Sequence, residues 1–298
     1  MGVHTLLAEM IVREHKFRPI TGDVLLIARQ TMYFSPEEAI RMLENFGVTP
    51  VVSDPGELKI DLETRGGASA GSFIRDSDFF RLLGVENLHW LDHSTYEGAD
   101  LIHDLNKPIP DEFVGFCDFI LDGSTIDNVF DPAQALKNMG RMLRPGGRII
   151  TINMASNHSN PYVLPSAFWY ADYFLANGWR DFQLFVSIFD DAGSVDTFRG
   201  DLTFIFDPSS SVENPKYLDA VFYRQKAVAA VVIFAEKDAN SSWDAVPSQH
   251  QYRSDAEAEA LKRNLRSVLS SQRPPLMRST LASQSHNVPT GFTYVPPG

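Results

Sequence analysis

One cysteine, Cys117, is present in 298 residues. A lone thiol can close no internal disulfide and build no cysteine-rich zinc site. It fits a reducing compartment, so a cytoplasmic location is expected. Long apolar runs are also scarce: no stretch reaches the roughly 20 residues that span a bilayer. The amino-terminal segment carries Glu9, Arg13, Glu14 and Lys16 where an export signal needs an apolar core. Membrane insertion is therefore not expected. Positive charge is in short supply, with 26 Lys and Arg against 38 Asp and Glu, a formal net charge of −12. This excess opposes attraction to phosphate backbones and anionic surfaces, which makes nucleic acid a poor partner. No internal repeat is visible. What remains is an ordinary folded composition, 44% hydrophobic and 21% charged. It excludes wholesale disorder and fibrous repeats, and the length allows one large domain or two small ones.

Along the chain, apolar residues at helical spacing (Leu6, Leu7, Met10, Ile11) predict a short amphipathic helix near the start. The run GDVLLIA over residues 22–28 reads as a strand buried on both faces. Ser35, with Pro36, Glu37 and Glu38 behind it, marks a helix start, and Gly47 marks its end. Residues 48–52 are expected to begin another extended segment. After a glycine-bearing loop and an apolar helix near Phe79 and Phe80, strands are predicted at 88–91, 101–105 and 117–121. A helix over 132–143 follows, closed by Arg144-Pro145-Gly146-Gly147, and then a strand over 148–153. An aromatic helix is expected at 165–177, strands at 182–189 and 227–235, and a helix capped by Ser254. Strands alternating with helices predict a doubly wound α/β sheet, with ligands beyond the carboxyl ends of its strands. Residues 1–237 read as one domain and 238–298 as a terminal helix with a Pro- and Ser-rich tail of little structure.

The segment FILDGSTIDNVFDPAQALKNMGRMLRPGGRIITIN, residues 119–153, resembles the fourth strand, following helix and fifth strand of class I S-adenosylmethionine-dependent methyltransferases. Upstream, HDLNKPIP is placed like that family's third-strand loop. The resemblance covers residues 22–235 and is specific in the middle. It implies a Rossmann-like, mostly parallel seven-stranded sheet with its last strand inserted antiparallel. S-adenosylmethionine is the implied cofactor, and the implied reaction is methyl transfer to a small-molecule or glycan hydroxyl.

Carried residue by residue, the resemblance puts Asp92 where the family receives the ribose hydroxyls, and a carboxylate suits a diol. Asp104, with Leu105 beside it, falls at the adenine edge. Asp122 and Gly123 fall where the chain passes the methionine part. Asp92 read alone could be a loop or cap residue, and Asp104 an Asx turn before Asn106. His158, in the polar loop after the fifth strand, is expected to take the hydroxyl proton, although a loop histidine can also be merely solvated. His89, His93 and His103 do not have metal-ligand spacing, so no metal is expected. Tyr162 and Trp169 are the aromatic residues expected to bear on substrate.

The family's first strand normally runs into a glycine-rich turn, because glycine alone lets backbone approach the cofactor in strained conformations. Here the chain reads Ala28-Arg29-Gln30-Thr31-Met32, without glycine. Either Arg29 or Gln30 contacts the cofactor carboxylate in a rebuilt turn, or the cofactor site is impaired. The second case is a catalytically inactive relative acting as a binding or scaffold partner. A doubly wound protein using another nucleotide is a third possibility, and homo-oligomerisation is left open.

Overall fold

The computed structural model describes residues 2–156, 161–189, 202–206, 212, 228–270 and 292–295. Apart from a short parallel pair, Gly2–Val3 with Thr31–Met32, its strands are β1 Asp23–Ile27, β2 Asn87–Asp92, β3 Leu101–Ile102, β4 Cys117–Gly123, β5 Leu143–Ser156, β6 Arg180–Phe189, β7 Leu202–Phe206, β8 Val228–Glu236 and β9 Phe292–Val295. They form one sheet in the order β3-β2-β1-β4-β5-β8-β6-β7-β9. Strands β1 to β5 pair in parallel. β8 then enters between β5 and β6, antiparallel to both. That is the seven-stranded Rossmann-like methyltransferase order with its reversed strand. β7 and β9 extend the sheet by two antiparallel strands beyond β6, making nine among the described residues.

Side chains alternate across β1, so Val24 and Leu26 face one core and Leu25 and Ile27 the other. The first face is covered by α1 Thr5–Phe17, α2 Pro36–Asn45 and α4 Asp76–Leu82, with Leu7, Met10, Phe79 and Phe80 fully buried. A shorter helix, α3 Arg65–Ala70, lies between α2 and α4 in the chain. The second face is covered by α5 Pro132–Met142, α6 Ala167–Ala176 and α7 Asp255–Leu269, which contribute Met139, Phe174 and Leu261. Serine caps three of these helices: Ser166 accepts the Trp169 N–H at 3.2 Å at the start of α6, and the other two caps are reciprocal. Ser35 accepts from the Glu38 N–H at 3.3 Å while Glu38 accepts from the Ser35 N–H at 2.8 Å. Ser254 and Glu257 repeat the pattern at α7. No helix among the described residues is long and apolar enough to cross a membrane.

Several expectations change. Residues 48–52 form no strand: the Val48 N–H closes the end of α2 on the Leu43 carbonyl, and the Val51 N–H bonds to Leu82. β3 stops at Ile102 instead of running to 105, because the Asp104 carboxylate accepts the Asn106 N–H at 3.1 Å and turns the chain. The Pro-Gly-Gly stretch lies within β5. There the Gly146 N–H donates to the Lys237 carbonyl and the Lys237 N–H to Gly147. β7 and β9 add two strands beyond the expected seven, the latter within the tail expected to have little structure. Helix α7 packs on α6 and β6, with Leu261, Leu265 and Val268 in the same core as the sheet.

Candidate functional site

The chain leaves β1 outward to β2 and β3 and returns to β4 on the other side, so the strand order reverses between β1 and β4. Doubly wound sheets open a crevice at that point, beyond the carboxyl ends of the strands. A cleft of about 430 Å³ lies there, lined by Ala28, Leu91, Asp92, His93, His103, Asp104, Leu105, Asn106, Thr125, Asn128 and Val129. That volume is in the range of small-molecule sites. Asp92 closes β2, and Asp104 lies two residues past the end of β3. Two carboxylates from adjacent strands therefore share one cleft with the apolar Leu91, Leu105 and Val129.

Each of these carboxylates keeps acceptor capacity beyond its local bonds. Asp92 Oδ1 accepts the Ser94 N–H at 3.2 Å. Asp104 Oδ1 accepts the Asn106 side-chain amide at 2.8 Å, and Lys107 lies 3.4 Å from the other oxygen. The Asn106 amide, ahead of Lys107, holds the Asp104 carboxyl below the usual range, so it is ionised at neutral pH. A carboxylate has about four lone-pair sites, and the bonds seen here leave some for a ligand.

The glycine-free turn is built in another way. Ala28 itself takes the left-handed conformation, φ 61°, where glycine would be expected. This costs an L-residue about 1–2 kcal/mol. The Ala28 N–H donates to the Leu91 carbonyl at 2.8 Å, and Gln30 Nε2 donates to Ile27 O at 2.7 Å and Ala28 O at 3.3 Å. Arg29 points away from the cleft into an ion-pair cluster and is 4% exposed. Asp76 accepts from it at 2.9 and 2.7 Å, and Glu63 at 2.7 Å, while its guanidinium lies 4.7 Å from the Trp90 ring centre. Asp76 also accepts the Gln30 N–H and the Trp90 indole N–H. The charge of Arg29 is thus engaged by protein carboxylates, and Gln30 is buried beneath the turn.

Behind the far wall, Asp122 is fully buried. Its carboxylate accepts from Thr151 Oγ1 at 2.5 Å, Asn153 Nδ2 at 3.0 Å and the Thr125 N–H at 2.7 Å. Burial pushes its pKa up to about 6, against these hydrogen bonds. Burial, and then the negative charge of Asp122, raise the nearby Tyr170 phenol well above its ordinary value. Gly123 is needed for close approach: a Cβ there would lie 2.0 Å from Gln30 Oε1. Ser124 is in the left-handed region, φ 74°, and donates to Asp127 at 2.8 Å. Thr125 Oγ1 donates to the Ile27 carbonyl at 3.1 Å and so ties this loop to β1.

Of the residues expected from sequence, Asp92, Asp104 and Leu105 come together in the cleft. Arg29, Gln30, Asp122 and Gly123 lie behind its walls and set their shape. His158 lies outside the described residues. Tyr162 is exposed beside the cleft turn, and Trp169 stands edge-on to the buried Tyr170, ring centres 4.8 Å apart. Thr125, Asn128 and Val129 were missed as lining residues. Their signal was present in the short stretch between the end of β4 and the Asp131-Pro132 start of α5, where the chain must cross the strand ends.

No protein-family model matches the chain, and no curated relative does. Among solved structures it is similar to a SAM-dependent methyltransferase of Thermotoga maritima, with 17% identity over 78% of this chain and 88% of that one, TM-score 0.33. It is also similar to phosphoethanolamine N-methyltransferase 2 of Haemonchus contortus, with 12% identity over 77% and 52%, TM-score 0.39. A third is the 1,6-didemethyltoxoflavin N1-methyltransferase of Burkholderia thailandensis, with 12% identity over 78% and 76%, TM-score 0.34. At these identities and TM-scores the likenesses assign no residue and no substrate. The strand order, with β8 reversed between β5 and β6, is by itself that of the Rossmann-like methyltransferase fold.

Proposed function

We propose that the chain binds S-adenosylmethionine in this cleft and transfers its methyl group to a hydroxyl of a small molecule or glycan in the cytoplasm. The observation that carries the reading is that Asp92 and Asp104, at and just past the ends of adjacent strands, line one cleft together with Leu105. In this reading Asp92 accepts two hydrogen bonds from the ribose diol and Asp104 accepts from the adenine amine. Leu91, Leu105 and Val129 exclude water from the faces of the base. Bound there, the cofactor supplies a methyl group on a sulfonium. The protein contributes chiefly position, and His158 is proposed to take the acceptor's proton. The buried free thiol Cys117 accords with a reducing compartment.

Calorimetry with S-adenosylmethionine and S-adenosylhomocysteine tests the reading. Saturable binding is expected. Asp92→Ala should weaken it by about ten- to a hundredfold, because hydrogen bonds to a charged acceptor contribute roughly 1.5–3 kcal/mol. No binding at millimolar ligand sinks the proposal. One observation favours a second reading, a binding partner without methyl transfer. The Arg29 guanidinium is already engaged by Asp76 and Glu63 rather than open to a cofactor carboxylate. Saturable binding of the acceptor with no cofactor binding would select it.

A further inference from the structure

The outermost strands of a sheet need protection, because an open row of N–H and C=O groups is a template for another chain. The two edges of this sheet meet that need differently. At one, β3 is two residues long and lies between Asp100 and His103, which leaves little ladder to extend. At the other, β7 runs for five residues, Leu202-Thr203-Phe204-Ile205-Phe206, with no charge, proline or glycine among them. A strand of that composition pairs readily with copies of itself. Asp201 before it and Asp207-Pro208 after it are the residue types that guard apolar strands. The inner side of β7 is paired to β6, from Leu184↔Phe206 to Ile188↔Leu202. Its outer side is covered by β9, antiparallel, over four of the five residues: Phe206, Ile205, Phe204 and Thr203 are matched to Phe292, Thr293, Tyr294 and Val295. β9 is itself a blunt edge. It is four residues long, and Pro296 and Pro297 follow it with no N–H to offer. Its one neighbour in the sheet is β7, so it can leave without breaking any other ladder.

We infer that β9 is a detachable cap that closes the β7 edge against a second copy of this chain. This goes beyond the methyl-transfer reading and does not depend on it. With the cap lifted, β7 offers an open ladder to another β7. Antiparallel pairing of two identical strands is two-fold symmetric, so each copy gives and accepts the same bonds. One five-residue ladder is far short of the roughly 800 Å² per partner found in stable complexes. The association is therefore reversible, in the micromolar to millimolar range. In the intact chain β9 is tethered through residues 270–291. The tether holds it beside its edge at an effective concentration on the order of millimolar, which favours the cap over a second copy.

The test uses the full chain. The N–H groups of successive strand residues point to opposite sides, so of Thr293→Pro and Tyr294→Pro one removes a bond to β7 and the other only an outward N–H. Sedimentation equilibrium should show an association constant raised about tenfold or more in one of these variants and within about twofold of the wild type in the other. A synthetic peptide of residues 286–298, at millimolar concentration, should return the released variant to wild-type behaviour. The same peptide carrying both prolines should not. An oxidised Ile205→Cys/Thr293→Cys pair locks the cap, since these positions are register partners, and the locked chain should associate no more than the wild type. Unchanged association in both proline variants, an equal rise in both, association that the peptide does not reverse, or failure of the cysteine pair to close overturns the cap. A releasing variant that no longer unfolds cooperatively overturns it as well, since a cap that can leave is not needed for the fold.

Discussion

At the scale of single residues, Asp122 has the most measurable chemistry. Its carboxyl is fully buried and titrates near 6, above the 3.8 of an exposed aspartate. A group with a raised folded pKa binds its proton more tightly in the folded state. Its contribution to stability is complete below about pH 4 and is lost as pH rises through about 6, a change of about 3 kcal/mol. Urea unfolding of the wild type and Asp122→Asn at pH 4, 5 and 6 isolates this from the other carboxylates. The stability difference, wild type minus variant, should fall across that interval, and a constant difference would refute the assignment. The strand that leads to Asp122 was legible in the sequence, although it runs two residues beyond the expected end at 121 and includes Asp122 itself. The burial of Asp122 was not, because that depends on Thr151 and Asn153 arriving from the neighbouring strand as hydrogen-bond donors.

The elements are held by partners far apart in sequence. Capped helices such as α2 and α7 could be read from Ser35 and Ser254, because a capping box is complete within four residues. The turn after β1 could not. The absence of glycine was plain, but the remedy comes from Asp76, 47 residues away from Arg29. Asp76 holds Arg29, the Gln30 backbone and the Trp90 indole at once. Asp76→Ala leaves the buried Arg29 with the more exposed Glu63 as its one carboxylate partner. A destabilisation of about 3–5 kcal/mol is expected, as for other broken buried pairs. Denaturant midpoints measure it directly, and a loss below 1 kcal/mol would mean that the cluster does not hold the turn. Asp104 lies between the two cases: the Asx turn read from its sequence forms on the Asn106 N–H, while its place in the cleft lining depends on residues from other strands.

For the whole molecule, the boundary expected at residue 237 meets a core that does not stop there. Leu261, Leu265 and Val268 of α7 are buried with the residues of α6 and the sheet. Tyr173 Oη donates to the Trp243 carbonyl at 2.9 Å, and Trp179 Nε1 to Ser242 at 2.9 Å. Removing three buried aliphatic side chains forfeits about 5–8 kcal/mol, a large part of the 5–15 kcal/mol by which domains are stable. A chain ending at residue 237 is therefore expected to lose cooperative thermal unfolding, as followed by circular dichroism. A sharp transition near that of the full chain would show that 1–237 is independent. The length arithmetic bounded the number of domains. It could not reveal that the terminal helix completes the second face of the sheet, because its stripe of Leu261, Leu265 and Val268 does not name the surface it meets.

The reversed strand also sets the order in which this sheet can be assembled. β6 has no inner neighbour until β8, made some forty residues later, slides between it and β5. While the chain is being synthesised, β1 to β5 can join as a parallel half-sheet whose β5 edge stays open until Val228–Glu236 arrives. Ile150 and Ile152 border that unsealed edge, so late insertion of β8 is the step at which misassociation is expected.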